Sequence, residues 1–375
     1  MKRCILVVFG GISAEHEVSV VTGLQALENV DTGVYEPLAV YIDKAGKFLC
    51  LPGLRDRRKF LTAARRAFTF GRDANGGFIK IKGTLRKIYP YAAYLALHGG
   101  QGESGPVQGL LEAVGIPFTS PDQEASVVMM NKELTKETAS RAGIDVVPGM
   151  DLFSSEIKAG SEQCAKKIAA RVGLPVIVKP VHLGSSIGIK IARTEVELEK
   201  SLLEAALMDK EILVEKCLSS FVEYNCAVRL LHGNIEASEV ERPLPKEEIL
   251  SFADKYERGG KKMQGGMASQ NRELPAIIED VLKQKIQELA KKAFVACRGK
   301  GMIRADFMYT SDHKLYLTEL NPIPGSMAFH LWEASGIPFK QQISDLIEQA
   351  VEDAERASHL HLDYKTDIVE RFVDQ

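Results

Sequence analysis

The chain has 375 residues, 45% of them hydrophobic and 26% charged, with 48 Lys and Arg set against 50 Asp and Glu. This length predicts about two to three domains, and the composition excludes intrinsic disorder, collagen-like repeats and a membrane-embedded protein. A net charge of −2 gives no field that would gather nucleic acid or anionic lipid, so any anion site has to be local.

Residues 4–9 are a continuous apolar run closed by Gly10 and Gly11, the pattern of a strand buried on both faces of a parallel sheet. The run is too short for a signal peptide, and Glu15, His16 and Glu17 follow it at once. A helix is expected from Glu15 to Glu28, then a strand at 35–42. The basic stretch from 46 to 90 is expected to hold a short helix (57–68) and a hairpin (77–88). Tyr91–Leu97 reads as another strand, leading through His98-Gly-Gly-Gln-Gly-Glu-Ser-Gly105 into a helix at 106–114. Strands alternating with helices predict an open α/β domain over 1–125.

Helices at 130–142 and 161–172, strands at 176–179, 187–192 and 212–215, and a helix at 195–207 predict a smaller lobe over 126–218. A third part, 219–358, is expected to carry strands near 223–240, 302–309 and 314–320 and helices at 277–298 and 338–357. The charged tail 359–375 reads as a docked strand or a frayed end. Within the third part, residues 244–275 form a long loop with two glycine pairs and Lys255-Tyr256, read as a lid over an anionic ligand. The six cysteines form no C-x-x-C pair and no zinc-like spacing, which fits reduced thiols in a cytoplasmic protein. No stretch approaches the roughly 20 apolar residues of a membrane span.

Several motifs fail. Gly100-Gln-Gly102-Glu-Ser-Gly105 matches a dinucleotide fingerprint but does not lie in the first βαβ unit, where that fingerprint belongs. His16-Glu17 begins a zincin motif that ends in Val20. There is no G-x-x-x-x-G-K-[ST], so a bound nucleotide would be held in another way.

The strongest cluster is C-terminal. Period two places Arg304, Asp306 and Met308 on one strand face, and Glu319 and Asn321 together on the next. If the strands pair, two carboxylates, an amide and a guanidinium share one surface, a donor set suited to Mg²⁺ with polyphosphate. Lys179 ends an apolar strand before Gly184-Ser-Ser-Ile-Gly188, a loop able to present N–H groups to an anion. Lys132 is a second candidate cation, and Glu215 closes an apolar strand as an acid facing a base amino group would.

These pieces, in this order, resemble the D-alanine–D-alanine ligase family of the ATP-grasp superfamily. The resemblance also takes in Phe-Gly-Gly-Ile-Ser13-Ala-Glu15-His-Glu-Val-Ser19, Met-Asn-Lys132, Asp254-Lys255-Tyr256 and Asn321-Pro-Ile-Pro-Gly325, and it covers about 1–357. It implies an α/β, three-lobed ATP-grasp architecture with an open parallel-sheet N-terminal domain, and a cytoplasmic homodimer acting on two D-alanines. Lys132, Lys179 and Lys255 would serve the ATP phosphates. Glu215 and the backbone of Cys217 and Leu218 would hold adenine, and Glu223 the ribose. Asp306, Glu319 and Asn321 would hold two Mg²⁺ (or Mn²⁺) ions. Glu15 would anchor the first D-alanine's ammonium with Ser185 and Tyr256. His98 would sit beside the reacting carboxylate, and Arg304 with the Gly325 N–H would stabilise the oxyanion.

The match breaks after Gly325. An ungapped reading puts His330 where the family has a serine that binds the second substrate's carboxylate. Ser326 is the preferred substitute, and a cationic His330 the alternative. The second substrate is therefore D-alanine or, on the alternative reading, D-lactate, D-serine or another amino acid. The only tryptophan, Trp332, is read as core.

Overall fold

The structure, a computed structural model, describes residues 2–244, 272–359 and 366–373. The lid expectation, with Lys255 and Tyr256, falls outside them except at its two ends.

The first sheet contains β1 (Arg3–Gly10), β2 (Tyr35–Ile42), β3 (Phe48–Leu51), β4 (Arg66–Asp73), β5 (Gly76–Ile81), β6 (Lys87–Ile88) and β7 (Ala92–Leu95), in the order β6-β5-β4-β3-β2-β1-β7. β1 lies between β2 and β7, parallel to both, which buries it from Ile5 to Gly10. The sheet is not parallel throughout: from β2 to β6 every pairing is antiparallel. The cause is local. Asp43 accepts the Ala45 and Lys47 N–H groups, a tight turn that sends β3 straight back along β2. The helix expected at 57–68 is only a 3₁₀ segment, Arg57–Thr62. From Arg66 the chain runs as β4, and Phe68 and Phe70 meet Phe48 edge-on at 6.4 and 5.6 Å, so strand packing prevails.

The second sheet is antiparallel, with β8 (Gly149–Phe153), β9 (Val176–Pro180), β10 (Lys190–Ala192) and β11 (Glu211–Lys216) in the order β10-β9-β11-β8. The third is also antiparallel: β12 (Phe221–Leu231), β13 (Asn234–Pro243), β14 (Arg272–Glu273), β15 (Met302–Thr310) and β16 (Leu315–Asn321), ordered β14-β13-β12-β15-β16.

Each sheet carries a buried apolar cluster, but the clusters do not follow the chain's order. Trp332, Ile343, Leu346 and Ile347 join the core of the first sheet. Ala125, Met129 and Ala139, from the helices Gln123–Met130 and Lys132–Arg141, join that of the third. Trp332 is core, as expected, its indole N–H directed at Met302 Sδ. The tail helix Ile368–Val373 is exposed throughout. No helix among the described residues is long and apolar enough to cross a membrane.

Candidate active site

The acidic face forms as the strand periodicity implies. β15 and β16 pair antiparallel with Arg304 opposite Asn321 and Asp306 opposite Glu319. Arg304 donates two hydrogen bonds to Asp306, at 2.6 and 2.7 Å, and Asn321 Nδ2 donates to the same carboxylate at 3.1 Å. Burial works against the Arg304 charge, but Asp306 beside it holds the guanidinium well above its ordinary range. β12 extends the face, with Asn225 opposite Asp306 and Glu223 opposite Met308. Among the described residues no three His, Cys, Asp or Glu side chains gather as a metal cage. Two carboxylates and an amide suit Mg²⁺, which takes its remaining ligands from phosphate and water.

Cations approach from the second sheet. Lys179 and Glu215 are diagonal neighbours on β9 and β11 and pair at 2.5 Å. Lys136, from the helix Lys132–Arg141, closes on the other Glu215 oxygen at 2.6 Å. All three side chains are buried. Burial favours a neutral Glu215, but the two ammonium groups prevail and lower its pKa; Glu215 likewise raises that of Lys179 against burial. The Glu215 carboxylate is thus engaged by two lysines, one of which the sequence reading missed. Lys132 donates to the Leu183 carbonyl at 2.5 Å, holding the base of the Gly/Ser loop, and burial lowers its pKa.

That loop closes on Glu15. Ser185, in the left-handed region with Ser186, donates to the Glu15 carboxylate. A Cβ on Gly184 would lie 2.8 Å from Glu15 Oε2, and one on Gly99 would lie 2.6 Å from it. A side chain at either position would have to displace that carboxylate, and at Gly99, whose φ is +64°, the Ser13 hydroxyl at 2.5 Å as well.

His98 lies at the junction of β7 and the third sheet, buried. Its Nδ1 is 2.9 Å from the Ile323 carbonyl, which only accepts, so the proton resides there. Nε2 is then the acceptor for the Thr22 hydroxyl at 2.8 Å. Burial pushes the His98 pKa down to about 4, so the imidazole works neutral. Glu103, which the sequence reading passed over, lies beside it: one oxygen accepts the Gly99 N–H (2.7 Å), the other the Ile323 N–H (3.1 Å). Burial and the nearby Glu15 raise its pKa.

After Gly325 the chain makes a left-handed turn, with φ 48, 53 and 46° at Ser326, Met327 and Ala328. No glycine is used there, so the turn costs roughly 1–2 kcal/mol per residue. Neither Ser326 nor His330 is among the residues lining the cleft, whereas Glu15, His98, Lys132, Ser185, Arg304, Glu319, Asn321 and Gly325 all are. His330 is buried against Glu241, Nε2 to Oε2 at 3.1 Å. Glu241 also accepts from Arg272 (2.7 Å) and Asn225 (3.0 Å). Burial lowers the His330 pKa despite Glu241, which speaks against the alternative reading of a cationic His330. Acceptor KM should therefore stay flat as pH rises from about 6.5 to 8; steady-state titration of the second substrate measures it.

Family models for the D-ala D-ala ligase N-terminus and C-terminus match residues 4–121 and 138–348. A D-alanine--D-alanine ligase from Thermosipho africanus is 34% identical over 348 residues, covering 92% of both chains. One from Clostridium acetobutylicum is 33% identical, covering 93% of this chain and 98% of that one. Among solved structures, the D-alanine-D-alanine ligase from Coxiella burnetii superposes with a TM-score of 0.80 at 27% identity, over 95% of this chain and 96% of that one. The VanG D-Ala:D-Ser ligase from Enterococcus faecalis gives 0.78 at 26%, over 93% and 100%. With both halves of the chain matched and the cleft residues in place, the protein belongs to the D-alanine–D-alanine ligase family.

Proposed function

We propose that the protein joins two D-alanines into D-alanyl-D-alanine at the expense of ATP, through an acyl phosphate, for peptidoglycan precursors. The carrying observation is one cleft lined at once by Glu15, Lys132, Arg304, Glu319 and Asn321: an anchor for an ammonium, a phosphate cation, an oxyanion donor and a metal face. Glu15, fixed by Ser185, receives the first D-alanine's ammonium and sets its carboxylate beside His98. Lys132 and Lys179 hold phosphate; Glu215, Cys217, Leu218 and Glu223 frame the nucleoside. Two Mg²⁺ ions on Asp306, Glu319 and Asn321 would neutralise phosphate charge. When the second amine attacks, Arg304 and the Gly325 N–H meet the developing oxyanion, a kind of contact that reaches roughly 3–4 kcal/mol per donor. Lys255 and Tyr256 complete this assignment from the loop outside the described residues.

Phosphate release and dipeptide formation with D-alanine as sole amino acid test the reading; activity only when another acceptor is added would overturn it. The altered turn after Gly325 favours one second reading, in which the acceptor is D-serine, D-lactate or another amino acid, and the same assay with mixed acceptors separates the two. Gly184→Ala should lower kcat/KM for the first D-alanine about a hundredfold by displacing Glu15, with the KM for ATP little changed in the same assay. The division into 1–125, 126–218 and 219–358, the homodimer and the cytoplasmic location belong to this reading; limited proteolysis, sedimentation and cell fractionation check them.

A further inference from the structure

The left-handed turn at Ser326–Ala328 follows Gly325 directly, and strained backbone of this kind persists only where its surroundings over-determine it. Three side chains distant in sequence supply that constraint, besides the turn's own Met327 N–H bond to Pro324. The Ser326 N–H donates to Thr22 Oγ1 at 3.3 Å. The Ile323 N–H donates to Glu103 at 3.1 Å. Gln342, wholly buried, donates to the Met327 carbonyl at 2.7 Å. His98 ties the set together, because its Nδ1–H holds the Ile323 carbonyl while its Nε2 receives the Thr22 hydroxyl. The backbone on both sides of Gly325 is thus held by the helix His16–Asn29, by the segment that follows β7 and by the helix Phe339–Ser358.

We propose that Thr22, Glu103 and Gln342 are positioning residues for acyl transfer, fixing residues 323–327 so that the Gly325 N–H stands where the oxyanion forms. The inference rests on the oxyanion role assigned to Gly325 above. Thr22 and Gln342 do not line the cleft, so they act through the turn and not on the substrate. Thr22 must accept the Ser326 N–H and donate to His98 in the same geometry, which serine also achieves and valine, matched in shape, does not. Glu103 accepts two backbone N–H groups, one on each oxygen; a glutamine offers a single carbonyl oxygen and turns an N–H₂ against the other donor.

The test uses full-length Thr22→Val, Thr22→Ser, Gln342→Leu and Glu103→Gln, with two readouts. The first is kcat for dipeptide formation beside the KM for ATP. The second is the inhibition constant of a phosphinic acid mimic of the dipeptide, whose tetrahedral centre resembles the transition state. Thr22→Val, Gln342→Leu and Glu103→Gln should each lose about tenfold or more in kcat and weaken phosphinate binding in proportion. KM for ATP should stay within about twofold, and Thr22→Ser should return to within about twofold of wild type. A merely structural role would lower thermal stability and the active fraction while leaving phosphinate binding per active site unchanged, and that outcome overturns the inference. Unchanged kcat in Thr22→Val and Gln342→Leu overturns it as well. A phosphinate that binds wild type no tighter than D-alanine overturns the oxyanion assignment itself; tight binding to wild type that the variants retain overturns this inference alone.

Discussion

Glu319→Gln and Asp306→Ala should each reduce dipeptide formation by roughly a thousandfold, the equivalent of several kcal/mol of transition-state charge stabilisation. Each carboxylate stands opposite the other across β15 and β16, and on the proposed assignment ATP would bring several negative charges to that face. On the proposed assignment, removing one carboxylate would withdraw an oxygen ligand for Mg²⁺, and no third carboxylate, histidine or cysteine completes a cage there among the described residues. The two variants differ in a second respect. Asp306 also accepts two hydrogen bonds from Arg304, so Asp306→Ala leaves a buried guanidinium short of its partner and should lower the melting temperature. Glu319→Gln, nearly isosteric, should fold like wild type. Steady-state turnover over a Mg²⁺ titration, paired with thermal melts, checks both; near-normal turnover at saturating Mg²⁺ in either variant contradicts the metal assignment.

The largest stability effect is expected at Glu215. Its carboxylate lies between Lys136 and Lys179 with all three side chains buried. Glu215→Ala leaves two buried ammonium groups without a counter-charge, which costs about 3–5 kcal/mol. At roughly 1–1.5 °C per kcal/mol for a chain of this size, the melting temperature should fall by about 5 °C. Lys136→Met with Glu215 retained should cost less, because Lys179 still pairs with the acid. The dependence on pH has a definite sign. Glu215 has its pKa held below the ordinary carboxylate value, so its contribution is complete above that value and is lost as pH falls through the lowered one. Wild type should therefore lose its margin over Glu215→Ala on acidification below about pH 4. Thermal melts of both proteins from pH 7 downward measure this.

Much of the molecule was legible in one dimension, because local rules settle it. The run at 4–9 reads as a buried strand since it is short, closed by two glycines, and a flanked parallel strand buries every residue in turn, and the structure buries Ile5 to Gly10. Period two brought Arg304, Asp306, Glu319 and Asn321 to one face, and that required only that β15 and β16 pair. Helices such as Ser161–Val172 and Pro106–Val114 fall where periodicity puts them. Of the antiparallel half of the first sheet only the hairpin at 77–88 showed, as β5 and β6; the direction of the rest is decided by the Asp43 turn and by aromatic contacts among Phe48, Phe68 and Phe70.

The site shows the same division. Charged residues set in or beside apolar elements and glycine-rich loops announce themselves by type, and Glu15, Lys132, Lys179 and Glu319 do so. Lys136, Glu103 and Thr22 do not, since each works by meeting a group 79, 220 or 304 residues away, and no local pattern encodes such a meeting. His330 marks the limit most clearly. Its position after Gly325 suggested a pocket cation, and an isolated imidazole titrates near neutrality. Burial took it out of water and lowered its pKa, against the opposing pull of the Glu241 carboxylate. Sequence alone determined which chemical groups the chain possesses and which strand faces carry them. Tertiary structure decided which groups are buried together, and burial and neighbouring charges between them set the charge each one holds.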